Sequence, residues 1–256
     1  MHGLWLPWTS YLSLVVEIAL ILNLIRNGLY RVYKWFFAYL AVDAVETVVG
    51  SVFQAELTVF GCIYVAGQTL KLILAVFVVL EFYRLALERH PALSSFGRAT
   101  VSYALAAAAL IAGLSISFNG PPPGKGQVIL YRFFTFERIM NVWMLAFVLM
   151  IGLFLSWFPV VLKRNGALYI AGFAIYFLAR SAALLVVNLT PQWRARISDA
   201  MLVTTITCML VWLFALTRRG EQVTTIVGHR WRPSEVARLT GQLDAINAKL
   251  LRLSRR

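Results

Sequence analysis

The chain has 256 residues, 60% of them hydrophobic and only 14% charged, with a mean hydropathy of +0.75; a water-soluble domain carries about 25% charged residues, so that class is excluded. Its formal charge of +13 falls in short basic clusters between long apolar runs, the pattern that orients a membrane protein rather than the basic face of a nucleic-acid binder. The two cysteines, Cys62 and Cys208, have no C-x-x-C or Cys/His spacing, which excludes a disulfide framework and a zinc site.

A helix needs about 20 residues to cross the hydrocarbon core, and seven runs reach that length. The first is residues 5–25. It has no basic n-region before it, Glu17 interrupts it and no small-residue cleavage site follows, so it reads as a span rather than a signal peptide. The second, 35–53, contains Asp43 and Glu46, and the third, 59–83, contains Gln68 and Lys71. At the end of the third, Glu81, Arg84 and Glu88 have i, i+3 and i, i+4 spacing and read as a solvated ion-pair stripe. The fourth, 98–118, is rich in small residues, among them Ala104, Ala108, Ala112 and Gly113, which let helix backbones approach closely.

Pro121, Pro122, Pro123, Gly124, Lys125 and Gly126 follow as a stiff spacer ending in a turn. Residues 128–138, with Arg132, Glu137 and Arg138, form either an interfacial helix or the extended start of span five. Span five covers 139–162 with Asn141, span six 168–189 with Arg180 and Asn188, and span seven 197–217. A lone strand would leave its backbone polar groups unpaired in lipid, so each run is expected to be helical. The expected fold class is all-α, with residues 1–220 forming a seven-helix transmembrane domain.

Arg26, Arg31 and Lys34 follow span one, Arg84, Arg89 and Arg98 span three, and Lys163 and Arg164 span five, with nine more Lys or Arg from Arg218 onward. The opposite loops hold Lys125, Arg132, Arg138, Arg194 and Arg196. The positive-inside rule then predicts an N-terminus outside and a C-terminus in the cytoplasm. Trp5, Trp8, Trp35, Trp157 and Trp193 fall near span ends, where indoles anchor at the headgroup level. Short loops and abundant Ala and Arg point to the bacterial inner membrane.

Glu17, Asp43, Glu46, Lys71 and Arg180 fall inside the spans, where each costs roughly 2.5–3.5 kcal/mol to insert. They are expected to pair in the bundle interior, with Asn23, Gln68, Asn141 and Asn188 as neutral partners. Asp43 and Glu46, three apart, share a helix face and can engage one cation or share a proton. One reading is a polar ligand site or proton relay between helices one, two, three and six; the other is a set of ion pairs that fixes helix register.

Residues 221–256 form a basic tail. Pro233, Ser234 and Glu235 start a helix predicted over 234–254. Val236, Leu239, Leu243, Ile246, Leu250 and Leu253 recur along it at spacings of 3 and 4, an apolar seam weakened by Gly241. Such a helix lies on the inner leaflet, aided by Arg238, Arg252, Arg255 and Arg256, or pairs with a second copy or a protein partner.

Several seven-helix chemistries are excluded. Span seven has no lysine for a retinal Schiff base. Glu81, Phe82, Tyr83 and Arg84 lack the residue order of G-protein-coupled receptors, and Pro191 and Gln192 occur once and outside the spans, unlike the repeated Pro-Gln of SWEET-type sugar transporters. His2, His90 and His229 all lie outside the spans, and no G-x-S-x-G, P-loop or H-E-x-x-H is present. The expectation is a non-catalytic, sensor-like or scaffolding module with no cofactor or metal, whose tail binds lipid or a partner. The alternatives are a small-solute or proton-coupled transporter using the buried charges, and a lipid-modifying enzyme using Asp43 and Glu46.

Overall fold

The computed structural model describes residues 6–53, 57–88, 91–118, 128–157, 160–189, 193–227 and 233–254. Trp5 and the Pro121 to Gly126 spacer lie outside them, as does the side chain of Trp8. Each apolar run folds as a helix: α1 (Leu6–Arg26), α2 (Lys34–Val52), α3 (Leu57–Ala86), α4 (Pro91–Phe118), α5 (Val128–Trp157), α6 (Arg164–Leu189) and α7 (Arg194–Ala215). Five stretches, Lys34–Val52, Gly61–Ala86, Thr135–Leu155, Arg164–Ala183 and Arg196–Ala215, are long and apolar enough to cross a membrane. The chain is a helical, multi-pass membrane protein.

The helices close into a ring in chain order. Each packs on the next, and α7 returns to α1, while α3 also touches α5 and α6 and so takes the inner position. Gly28 makes the first reversal. Its φ of 69° is left-handed, a conformation open to a residue without Cβ, and its N–H bonds Ile25 O at 3.0 Å to close α1. A single 3₁₀ turn, Leu29–Arg31, then leads into α2.

Aromatic rings fill the centre toward the basic end of the bundle. The Phe173 ring lies 4.7–5.5 Å, centroid to centroid, from those of Phe36, Phe82, Tyr169 and Trp212, mostly tilted or edge-on, the geometry that ring quadrupoles favour. Trp212 lies flat against α6 because position 172 is glycine: a Cβ there would meet the indole nitrogen at 2.4 Å.

At the basic end two expectations are corrected. Span five does not run helical to residue 162; α5 stops at Trp157, and Val160–Lys163 is a strand, β1. It pairs antiparallel with β2 (Thr224–Val227), from Val160↔Val227 to Lys163↔Thr224. Both strands are rich in β-branched residues, which favour extended backbone over helix. Span seven likewise ends at Ala215. Thr217 turns the chain and caps a short helix, α8 (Arg218–Gln222), by accepting the Gly220 N–H at 3.1 Å. Residues 218–227 are therefore folded onto the bundle, and the expected boundary between 220 and 221 falls inside α8.

Glu221 ties this end together. It accepts from Tyr33 OH at 2.9 Å and Asn165 Nδ2 at 3.3 Å, and pairs with Lys163 at 3.2 Å. Lys163 also meets Glu88 at 3.3 Å. Asn165 is fully buried and donates to Thr217 O at 2.7 Å. A Cβ on Gly220 would come within 2.1 Å of its Oδ1, so only glycine admits that approach. Burial pulls the Lys163 ammonium down, but Glu221 and Glu88 outweigh it and hold it above the ordinary lysine value. Burial, with Glu221 beside it, pushes the Tyr33 phenol well above the usual tyrosine range.

The tail helix, α9 (Pro233–Ser254), packs against α4. Pro233 stands at its first position and Glu235 in its first turn, where both favour initiation. Leu243 is buried in the common core, whereas Ile246 is exposed, so the seam faces two ways. The side chains of Val236, Leu250 and Leu253 lie outside the described residues.

Candidate functional site

The site grows from two pairs spaced three residues apart. Asp43 and Glu46 share one face of α2, and Gln68 and Lys71 share the facing side of α3. Lys71 Nζ lies 2.7 Å from Asp43 Oδ1 and 2.9 Å from Glu46 Oε2, so one ammonium serves both carboxylates. Gln68 Nε2 donates to Glu46 Oε1 at 3.0 Å. The Glu46 carboxyl rests over Gly67, where a Cβ would meet its Cδ at 2.6 Å. The missing side chain on α3 makes room for the charge on α2.

Gln68 then joins this group to a second one. Its amide oxygen accepts from Arg180 Nη2 at 3.0 Å, while its nitrogen holds Glu46, so a single amide bridges an anion and a cation. Arg180, on α6, directs Nε at 3.0 Å to Glu137 Oε1 on α5, with Nη2 on the same oxygen. Its Nη1 donates to Tyr176 OH at 3.3 Å, and Tyr176 and Tyr39 share a hydrogen bond of 2.9 Å. Glu17, on α1, is almost wholly buried, and its carboxyl meets that of Asp43. Its Oε1 has no hydrogen-bond partner.

Five helices thus contribute to one connected network. Of the residues expected from sequence, Glu17, Asp43, Glu46, Gln68 and Lys71 lie together, and Arg180 joins through Gln68. Asn141 is buried beside them but donates to Glu137 O of its own helix at 2.9 Å. Asn23 belongs elsewhere, donating to Leu213 O and Leu216 O near the end of α7 at 3.1 and 3.3 Å. The side chain of Asn188 lies outside the described residues.

Of the two expectations for residues 128–138 the second holds, since they are the start of α5; within them Glu137, not counted among the buried charges, is the counter-ion of Arg180. The signal for it was periodicity: Glu137, Asn141, Met144, Val148, Ile151 and Leu155, all buried, recur at spacings of 4, 3, 4, 3 and 4, one helix face running unbroken through the acid. Glu81 is not on a solvated stripe. It is buried, 3.6 Å from Arg84 Nη2, and accepts from Tyr169 OH at 3.2 Å; α4 and α6 cover the end of α3 that a lone helix would leave wet.

The space left within the network is small. Tyr39, Gln68, Lys71, Glu137, Asn141 and Arg180 border a cavity of ≈ 20 Å³, which holds about one water. The arrangement can pair charges and share protons between neighbouring carboxyls; among the described residues, this cavity does not admit a solute of several heavy atoms. Among the described residues no group of three His, Cys, Asp or Glu side chains is disposed to hold a metal. The chain matches no known family model, curated protein or solved structure.

Proposed function

We propose that this chain is a seven-span, non-catalytic membrane module of sensor or scaffold type, with its N-terminus outside and its tail in the cytoplasm of a bacterial inner membrane. In this reading α1 and α4 complete the seven crossings, and the polar network fixes how the helices pack. The tail helix is the element that engages lipid or a partner. The observation that supports the reading is the mutual pairing in the network: its cations are held by acids of the same chain, around a space for about one water. Orientation is supported by the basic residues at one end.

The test compares the full chain with a chain ending at Arg232 by native mass spectrometry after gentle extraction. Loss of an oligomer or bound protein on truncation, reproduced by Ile246→Asp on the exposed side of the tail helix, is the expected result; identical spectra for all three chains would sink the module reading.

A second reading rests on Glu17. Four carboxyls, Glu17, Asp43, Glu46 and Glu137, face two cations, Lys71 and Arg180, so neutrality in a medium that penalises net charge needs bound protons. Glu17, with its free Oε1, is the natural holder of one. If it exchanges that proton across the membrane, reconstituted vesicles under an imposed potential acidify, and Glu17→Gln abolishes the flux. Vesicles that hold their gradient leave the module reading alone.

A further inference from the structure

A second cavity, ≈ 400 Å³ and half open, lies at the basic end between α2, α3 and the first half of α4. Its volume is in the range of small-ligand sites. Two cations stand at its mouth. Lys34, the first residue of α2, is exposed beside Trp35, with its ammonium 5.3 Å from the ring centroid. Arg84 is held in place by its Nη2 donating to Val32 O at 2.8 Å, yet its side chain is 41% exposed. Across from them α4 contributes the exposed hydroxyls of Ser95 and Ser102.

Among the described residues one acid lines the cleft, and it is already committed. The side chain of Glu81 is 1% exposed and is engaged by Arg84 and Tyr169, so it forms the floor and leaves the mouth positive. Deeper in, the character changes. Phe77 stacks on Trp35 at 4.3 Å and reaches the lateral surface of the bundle, where it is 36% exposed. Arg84 and Phe77 are two turns apart on α3, so the cleft descends roughly 10 Å from a cationic rim to an apolar wall open to the side.

We propose that this cleft is a binding site for one anionic phospholipid. The phosphate sits between Lys34 and Arg84, the serine hydroxyls meet the ester and headgroup oxygens, and an acyl chain descends over Phe77. A free anion would use the rim alone and leave the apolar wall without a role. Basic pockets between membrane helices hold anionic headgroups in just this way, by charge at the rim and chain packing below.

The experiment titrates the full chain in detergent with phosphatidylglycerol, phosphatidylcholine and inorganic phosphate, and counts retained adducts by native mass spectrometry. One phosphatidylglycerol per chain is expected, held in preference to phosphatidylcholine and not displaced by millimolar phosphate. Lys34→Gln is expected to weaken it about fivefold, and Lys34→Gln with Arg84→Gln about thirtyfold. Arg26→Gln with Arg31→Gln, at the same end but outside the cleft, should leave it unchanged. Ala99→Leu narrows the cleft from an exposed position on α4 without altering charge, and should diminish the adduct. Equal retention of the two lipids, displacement by inorganic phosphate, an equal loss in the Arg26 and Arg31 variant, or an undiminished adduct in Ala99→Leu would each overturn the proposal.

Discussion

The buried network around Lys71 and Arg180 and the knot around Glu221 use the same groups, carboxylates set against cations and amides, but in opposite ways. In the network, cations inside the apolar spans find acids on neighbouring helices, and Gln68 links the two ion pairs. In the knot, one carboxylate gathers donors from two separated segments, Tyr33 before α2 and Lys163 with Asn165 at the junction of β1 and α6, at the edge of the bundle. The difference teaches that charge is placed by its cost. Where water is absent, every ion needs a counter-ion and the pairing is forced; where water is near, the pairing serves to hold loops in place.

The largest expected effect comes from breaking the forced pairing. Arg180→Met leaves Glu137 buried without its cation and should cost about 3–5 kcal/mol, read as a fall in thermal unfolding temperature in detergent. Adding Glu137→Met should recover most of the loss, since a matched apolar pair removes the stranded charge. If the single and double variants unfold alike, the pairing is not what holds α5 to α6.

At the knot, Gly220→Ala drives a methyl into Asn165, which is fully buried and bonded on both sides and so cannot step aside. A loss of about 1–3 kcal/mol is expected by the same assay. Gly67→Ala presses instead on the end of the Glu46 side chain, which can tilt by a few tenths of an ångström while keeping Lys71 and Gln68, so about 1 kcal/mol is expected. Equal penalties at the two glycines would show that Glu46 is as immobile as Asn165.

The smallest effect is a pH dependence. Lys163 titrates above the ordinary lysine value in the folded chain because Glu221 and Glu88 outweigh its burial. Its contribution is therefore complete below about pH 10.4, the unfolded value, and is lost as pH rises through the higher folded value. Lys163→Met should lower the unfolding temperature at pH 8, where that contribution is complete, and flatten its alkaline fall; an unchanged alkaline limb would assign the titration elsewhere.

Much of this was legible in the residue order. Asp43 with Glu46 and Gln68 with Lys71 stand three apart, which places each pair on one helix face and makes a facing arrangement readable. Glu137 was missed because it stands beside Arg138 in a mixed segment, where its neighbours along the chain suggest water and only its neighbours along the helix reveal burial. Glu81 was misread for the same reason: i, i+3 spacing with Arg84 describes a helix surface but not what covers it.

The sequence by itself determined that the chain is helical and crosses a membrane several times, because apolar length and backbone satisfaction in lipid admit few other solutions. It also determined that the buried charges must pair, since unpaired they would be prohibitively costly. Tertiary structure alone decided which acid meets Arg180, that Gln68 bridges the two ion pairs, and that residues 160–163 and 224–227 form a ribbon. These are contacts between segments tens to hundreds of residues apart, whose partners are chosen by the ring order of the helices and by where glycines permit close approach. No local pattern in the chain encodes either.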